Sequence, residues 1–358
     1  MNITIDTRMI YSSGIGVYIQ NILPLILKDS NHYTLIGCSN ELSNFNWVNN
    51  KNISIVDYNV PIYTIREQIS IIQKIPHNTD VFWSPHYNIP LMYKGKLFVT
   101  VHDLNHLALT QPGFDWAKKK YAKYFFKKIL QKANRIVTVS NFSRSEYIKY
   151  FGLEKDFEKI VAVHNGLSIN EVIGDNNPHK KPYLLTVGNV KPHKNLVRLL
   201  NAFNKIKDLI PHTLFIVGKK SGFISGDKNL IKKVDAFGQR VIMTGFLSDE
   251  ELQNYYSHAE AFVFPSLYEG FGFPPLEAMA VGTPVVASNA ASIPEVCGDA
   301  ALYFNPYDID DMAEKILQMV KDKSFKDKYS IRGKKQVGNY NWGKTADEMV
   351  NLLIETIR

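Results

Sequence analysis

Cysteine is almost missing from this chain. Cys38 and Cys297 are the only two in 358 residues. They lie far apart, with neither the density of a disulfide scaffold nor the spacing of a zinc site. We expect reduced thiols in a cytoplasmic protein. Long apolar runs are missing too: nowhere do about eighteen apolar residues follow one another, which excludes a spanning helix on sequence grounds. The opening MNITIDTRMIYSSGIG lacks the basic lead-in and apolar stretch of a secretory leader. Repeats and low-complexity tracts are absent, and a 45% hydrophobic share is that of an ordinary globular chain. No His/Cys cluster has ligand spacing. The acidic run DIDD, Asp308 to Asp311, reads as a helix cap. We therefore expect neither a metal nor a cofactor.

What is present is positive charge, +8 overall. That favours an anionic partner: nucleic acid, anionic lipid or a phosphorylated small molecule. No nucleic-acid recognition module accompanies it, so nucleic acid is set aside.

The chain alternates short apolar runs with helical stretches. NITID, YTLIGC, VFWSP, KLFVTVHD, RIVTVS and KIVAVHNG read as strands. After Gly174 the polar segment GDNNPHKKP reads as a linker. The pattern then restarts with YLLTVGNV, TLFIVGKK, RVIMTGF, AFVFPS, PVVASN and ALYFNP. Runs rich in Val, Ile and Phe between helices mark buried parallel strands. The expected class is α/β, with two doubly wound Rossmann-like domains, 1–174 and 175–342. Ligands in such sheets sit at the carboxyl ends of the strands. Leu196, Leu199, Leu200, Phe203, Ile206 and Leu209 form one helical stripe. Ser248 and Glu251 fit a capping box.

One stretch is too elaborate for a structural helix: YEGFGFPPLEAMAVGTP, Tyr268 to Pro284. Pro274 or Pro275 marks a helix start, because proline's missing N–H has no intrahelical partner there, and Gly282 ends the helix. The loop Gly270-Phe271-Gly272-Phe273 then lies against a helix N-terminus, which suits a phosphate. Glu277 on that helix either favours its own first turn or binds sugar hydroxyls, as does Glu269 before the loop. The second reading makes this a nucleotide-sugar site.

These residues carry a resemblance. VGNVKPHKNLVRLLNAF, FIVGKK, TGFLSDEEL, PSLYEGFGFPPLEAMAVGTPVVAS and IPEVCGDAALYFNP follow the order of family-four glycosyltransferases, as do the weaker GIGVYIQNILPLIL, VTVHDL and VSNFSRSEYI. The family has the GT-B fold, two Rossmann-like domains facing across a cleft, with a last helix, here 343–358, returning to the first domain near Gly338 to Gly343. The resemblance implies site roles. Glu269 would contact donor-sugar hydroxyls, and amides of Gly270, Phe271 and Gly272 would hold the diphosphate and sugar. Glu277 would bind the ribose. Lys194 would pair with the diphosphate, Lys219 assisting. Thr244, Gly245, Phe246 and Leu247 would border the base. Gly14 and Gly16 would approach the diphosphate from the first domain, and His102 would orient the reacting groups. Where many relatives carry arginine after the glycine of the VG motif, this chain has Asn189 and Val190 after Gly188. That leaves Lys194 as the one certain cation on the diphosphate.

No residue offers itself as a carboxylate nucleophile, so a metal-independent front-face substitution with retention is expected. VGNVKPHKN with NAASIPEV resembles bacterial mannosyltransferases of O-antigen and other surface polysaccharides. The implied donor is GDP-mannose and the implied acceptor a glycan or lipid-linked glycan. A UDP-hexose or a dTDP- or GDP-deoxyhexose remains open, as do an epimerase and a silent nucleotide-sugar-binding protein of the same fold. Residues 115–135, DWAKKKYAKYFFKKILQKANR, hold eight Lys/Arg and one acid. They read as a basic aromatic helix, either a solvated domain helix or a peripheral contact with an anionic membrane, here the inner face of the cytoplasmic membrane.

Overall fold

The structure, a computed structural model, describes residues 1–108, 116–154, 157–168, 176–218 and 228–358. The chain divides into two compact units. One comprises residues up to Ser168 together with Asn341–Arg358, and the other ends at Tyr340. Lys219, Asp115 and the start of the expected linker at Gly174 lie outside the described residues.

In the first unit seven strands run parallel: β1 (Asn2–Asp6), β2 (His32–Gly37), β3 (Ile53–Asp57), β4 (Val81–Ser84), β5 (Leu97–Val101), β6 (Arg135–Thr138) and β7 (Ile160–Ala162). Their order is β3-β2-β1-β4-β5-β6-β7. The second unit holds β8 (Tyr183–Val187), β9 (Thr213–Val217), β10 (Val241–Gly245), β11 (Ala261–Phe264), β12 (Val285–Ser288) and β13 (Ala301–Phe304), in the order β10-β9-β8-β11-β12-β13. Both sheets are doubly wound. Strand order reverses between β1 and β4 in one and between β8 and β11 in the other. At such a point successive connections leave to opposite faces and open a crevice at the carboxyl edge.

The apolar runs form strands because both sheet faces are covered. Val81, Phe82, Trp83, Phe98 and Val99 are buried, as are Leu184, Phe262 and Val285. Strand β3 was not expected. It is an edge strand whose ISIVD is only partly buried, so its pattern resembles a loop. The stripe on the helix Leu196–Ile206 packs into the second core, except Leu209. That residue lies beyond the helix end and is 57% exposed, because the chain has already left the helical path.

The final helix Trp342–Ile357 packs on the helix Ser13–Ile26 within the first unit. Tyr18 meets Trp342 edge to face at 5.9 Å, and the Thr345 hydroxyl donates to the His164 carbonyl at 2.8 Å. Cys38 and Cys297 are unpaired thiols, and burial pushes the Cys297 thiol up to about 12.

Asp308 caps the helix Ile309–Lys321 by accepting the amides of Asp310 and Asp311 at 2.9 and 3.1 Å. The Ser248–Glu251 capping box also forms. Asp308→Ala should cost about 1 kcal/mol, read as a lower urea midpoint with an unchanged slope.

Candidate active site

The carboxyl edge of the second sheet is seamed with glycine. Gly188, Gly218 and Gly245 stand at the ends of β8, β9 and β10. The Gly188 amide donates to the Val217 carbonyl at 2.9 Å, and the Gly218 amide to the Gly245 carbonyl at 3.0 Å. A Cβ on Gly218 would lie 2.2 Å from the Gly188 carbonyl oxygen. Only glycine lets these two backbones approach so closely.

After Gly188 the chain exits the switch point of the sheet. Pro192–Lys194 makes one 3₁₀ turn, Asn195 takes a left-handed conformation (φ 58°), and the helix Leu196–Ile206 begins. On the other side of the switch, β11 leads to Pro265, Ser266 and Glu269. Lys194 Nζ and Glu269 Oε1 meet across it at 2.6 Å, each side chain 16% exposed. The lysine stem lies against Gly188, where a Cβ would sit 3.3 Å from Lys194 Cε. Its ammonium stands 5.4 Å from the Phe264 ring centroid. Thr186, Gly188, Ile216, Phe264 and Ser266 surround it in a narrow indentation. Burial pushes the Glu269 carboxyl up. The charges of Lys194 and His193, with the hydrogen bond from Lys194, outweigh it, and the net shift is downward.

Two side chains and one backbone bond that sequence reasoning did not mark hold this geometry. Asn195 Nδ2 donates to the carbonyls of Pro265 at 3.1 Å and Pro306 at 2.8 Å, tying the lysine turn to the end of β11. The His193 carbonyl accepts from the Leu267 amide at 2.7 Å. Ser292, fully buried, places its hydroxyl 2.9 Å from the carbonyls of both Glu269 and Phe271. These are contacts across 21 to 111 residues of chain, which no local motif reveals.

Glu269 is followed by buried Gly270 and Phe271, then Gly272 at φ 107°, a conformation L side chains rarely adopt. Gly272 caps the helix Phe273–Ala280, which carries Pro274 and Pro275 in its first turn and no side-chain cap bond. The positive end of a helix therefore borders the loop. Glu277 sits on that helix, half-buried, accepting the Tyr256 hydroxyl at 2.7 Å. Burial raises its carboxyl, Tyr256 opposes that, and the charge of Asp249 adds to the rise.

Contacts join three of the expected donor residues, Gly245, Lys194 and Glu269, into one series. Gly245, Gly218, Gly188, Lys194 and Glu269 form one chain, and Gly272 packs toward Phe264. Thr244 bonds the Gly245 carbonyl, Phe246 is 73% exposed beside it, half-buried Leu247 follows, and Asn189 is exposed just past Gly188. Glu277 is engaged by Tyr256 instead.

Gly14, Gly16 and His102 belong to the first unit. Gly14 has open space around it, whereas a Cβ on Gly16 would meet the Ile10 carbonyl oxygen at 2.6 Å. Gly16 is therefore needed for the turn before its own helix. That helix carries Tyr18 onto His102, ring to ring at 5.0 Å. His102 Nε2 lies 2.9 Å from the Pro85 carbonyl oxygen. A carbonyl only accepts, so Nε2 carries the proton and Nδ1 is the bare acceptor. Burial pulls this imidazole down to about 4, with the Pro85 bond opposing and the charge of His86 assisting.

Ser292→Ala should lower melting temperature modestly and weaken binding of nucleotide sugar more than Ser292→Thr, both followed by thermal shift. Because His102 is depressed below its unfolded value of about 6.5, the unfolded chain binds more protons between that value and about 4. Stability contributed by neutral His102 is complete above the upper value and declines as pH falls through this window. Melting temperature should drop across it, and less steeply in His102→Phe.

Similarity to known proteins fits these features. Residues 169–336 match the model of glycosyl transferases group 1, and residues 47–171 match that of glycosyltransferase family 4. O-antigen chain mannosyltransferase B of Escherichia coli is 31% identical over 291 residues, covering 76% of this chain and 73% of that protein. Serotype-specific mannosyltransferase WbdA of Escherichia coli is 26% identical over 242 residues, covering 63% of this chain but 29% of that longer protein. The structure of Anabaena HepE in complex with UDP-glucose superposes with a TM-score of 0.78 at 16% identity, covering 99% of this chain and 100% of that one. A doubly wound sheet pair with a lysine and a glutamate closing the second switch point, together with these matches, makes the chain a member of glycosyltransferase family four, with the GT-B fold.

Proposed function

We propose that the chain is a retaining hexosyltransferase moving mannose from GDP-mannose to a glycan or lipid-linked glycan in surface-polysaccharide assembly, without a metal ion. The observation that carries the reading is the Lys194–Glu269 pair at the switch point, beside a glycine-capped helix terminus. An ammonium has three donors; one serves Glu269 and the others suit a diphosphate. Glu269, kept anionic, accepts from sugar hydroxyls. The backbone of Gly270, Phe271 and Gly272 faces the diphosphate and sugar, Glu277 binds the ribose, Thr244 to Leu247 border the base, and Gly14 and Gly16 flank the diphosphate. His102 Nδ1 accepts from a hydroxyl near the reacting carbon.

In the step itself the anomeric carbon–phosphate oxygen bond breaks and a bond to the acceptor oxygen forms on the same face. The acceptor proton passes to the departing phosphate, and GDP leaves. Negative charge grows on that phosphate, where Lys194 and the helix terminus stabilise it most. A carboxylate whose basicity is already reduced by a lysine is a poor nucleophile, which favours this route over a covalent intermediate on Glu269. Mannose is favoured by the mannosyltransferase relatives. The HepE complex supports a UDP-hexose as the second reading.

GDP-mannose at 100 times its dissociation constant should add about 2.7 kcal/mol of stability, with UDP-glucose adding less. Lys194→Ala should lower kcat/KM by about 10²–10³, and EDTA should change nothing. NMR of the product should show the donor's anomeric configuration; an inverted product, or no transfer from any nucleotide sugar, contradicts the proposal.

A further inference from the structure

The short helix Ile65–Ser70 of the first unit is inside out. Its inward residue is a glutamate: Glu67 is 1% exposed. It accepts Arg8 Nη2 at 2.7 Å, Asn88 Nδ2 at 2.7 Å and the Tyr63 amide at 2.8 Å. Arg8 in turn pairs with fully buried Asp6, which His86 also contacts at 3.2 Å. Its exposed residues are Ile65, Arg66 and Ile69; the isoleucines, 82% and 64% exposed, are four apart and therefore on one face. A surface helix normally has the opposite polarity.

The apolar face does not stand alone. The Leu91 amide donates to Gln68 Oε1 at 3.0 Å, which brings up Met92, 69% exposed. Tyr63, ahead of the helix and 45% exposed, holds a left-handed conformation with φ 67°. Its ring contacts Tyr87 and Tyr121, each at 5.9 Å. Scattered exposed apolar residues are ordinary, but a ridge pinned from beneath by buried charges is built to meet something apolar.

The neighbouring helix identifies what it meets. Tyr121 belongs to the helix Trp116–Lys132, whose sequence WAKKKYAKYFFKKILQK has seven lysines and no acid. Its exposed Trp116 and Tyr124 sit under lysines: Lys120 Nζ is 3.8 Å from the Trp116 centroid, and Lys128 Nζ is 5.6 Å from that of Tyr124. Lysines for anionic headgroups, indole and phenol rings for the interfacial layer, and branched aliphatics for the acyl boundary are the three chemistries of an interfacial anchor. A soluble glycan would use the rings and leave the isoleucines and methionine without a role.

We propose that Ile65, Ile69 and Met92 insert into the surface of an anionic membrane beside the lysine-rich helix. The ridge supplies a salt-resistant part of binding and the lysines a salt-sensitive part. This rests on the reading that the acceptor is held at a membrane. The test is co-sedimentation of the full chain with phosphatidylcholine vesicles, with and without phosphatidylglycerol, at low and high salt. Wild type should bind anionic vesicles and retain part of that binding at high salt. The pair Ile65→Ser and Ile69→Ser should lower binding about tenfold or more at both salt concentrations. The pair Lys120→Glu and Lys123→Glu should remove the salt-dependent part. Unchanged binding in the isoleucine variant, equal binding to neutral vesicles, or no binding by wild type would each overturn the proposal. Thermal shift by GDP-mannose, measured on the same samples, separates the two readings: it should be equal in wild type and the isoleucine variant. Its absence in both would count against the transferase reading alone.

Discussion

A lysine ammonium and a glutamate carboxylate drawn largely out of water must find charge partners, and Lys194 and Glu269 find each other at 2.6 Å. The pair closes the point where strand order reverses in the second sheet, with one member after β8 and the other after β11. Nearly every unusual backbone feature nearby serves that closure. Gly188 leaves room for the lysine stem, Gly218 lets two strand ends touch, and Asn195 turns the chain into its helix. The ion pair keeps a cation, an anion and a helix terminus within reach of one another. That combination suits a ligand bearing both phosphate and hydroxyl groups.

The two sheets repeat one architecture with different chemistry at the switch point. In the second, the partly exposed pair faces a crevice. In the first, the end of β1 and the loops after β1 and β4 carry Asp6, Arg8 and His86, all nearly inaccessible, with Arg8 and His86 both bound to Asp6. The Asn88 amide donates to His86 Nδ1 at 3.1 Å, and Arg8 pairs with both Asp6 and Glu67. Their contribution is positional: they fix the helix that presents Ile65 and Ile69, while His102 at the end of β5 remains partly accessible.

Much of this was legible in the sequence, for a physical reason. Parallel strands buried on both faces must be continuously apolar, so runs such as YLLTV and AFVF announce themselves, and Pro274-Pro275 after a glycine loop announces a helix start. The edge strand ISIVD had no such constraint and passed for a loop. Leu209 continued a helical period past the point where the helix ended. The candidate residues with local signatures, Lys194, Glu269, Gly272 and Glu277, stand out in motifs. Their supports do not. Ser292 reaches back to Glu269 and Phe271, Asn195 reaches forward to Pro306, and Glu67 joins a network spread over β1, β4 and a helix between them. Such contacts exist only once the sheet brings distant loops together. Nor does sequence periodicity show that a short helix has its charged side inward.

The most direct test of the central claim is a crystal structure with a nucleotide sugar bound. The account predicts a diphosphate oxygen within about 2.7–2.9 Å of Lys194 Nζ, a sugar hydroxyl on the Glu269 carboxylate, and the diphosphate against the loop Gly270 to Gly272. A diphosphate bound elsewhere, with the Lys194–Glu269 pair untouched by the ligand, would contradict it.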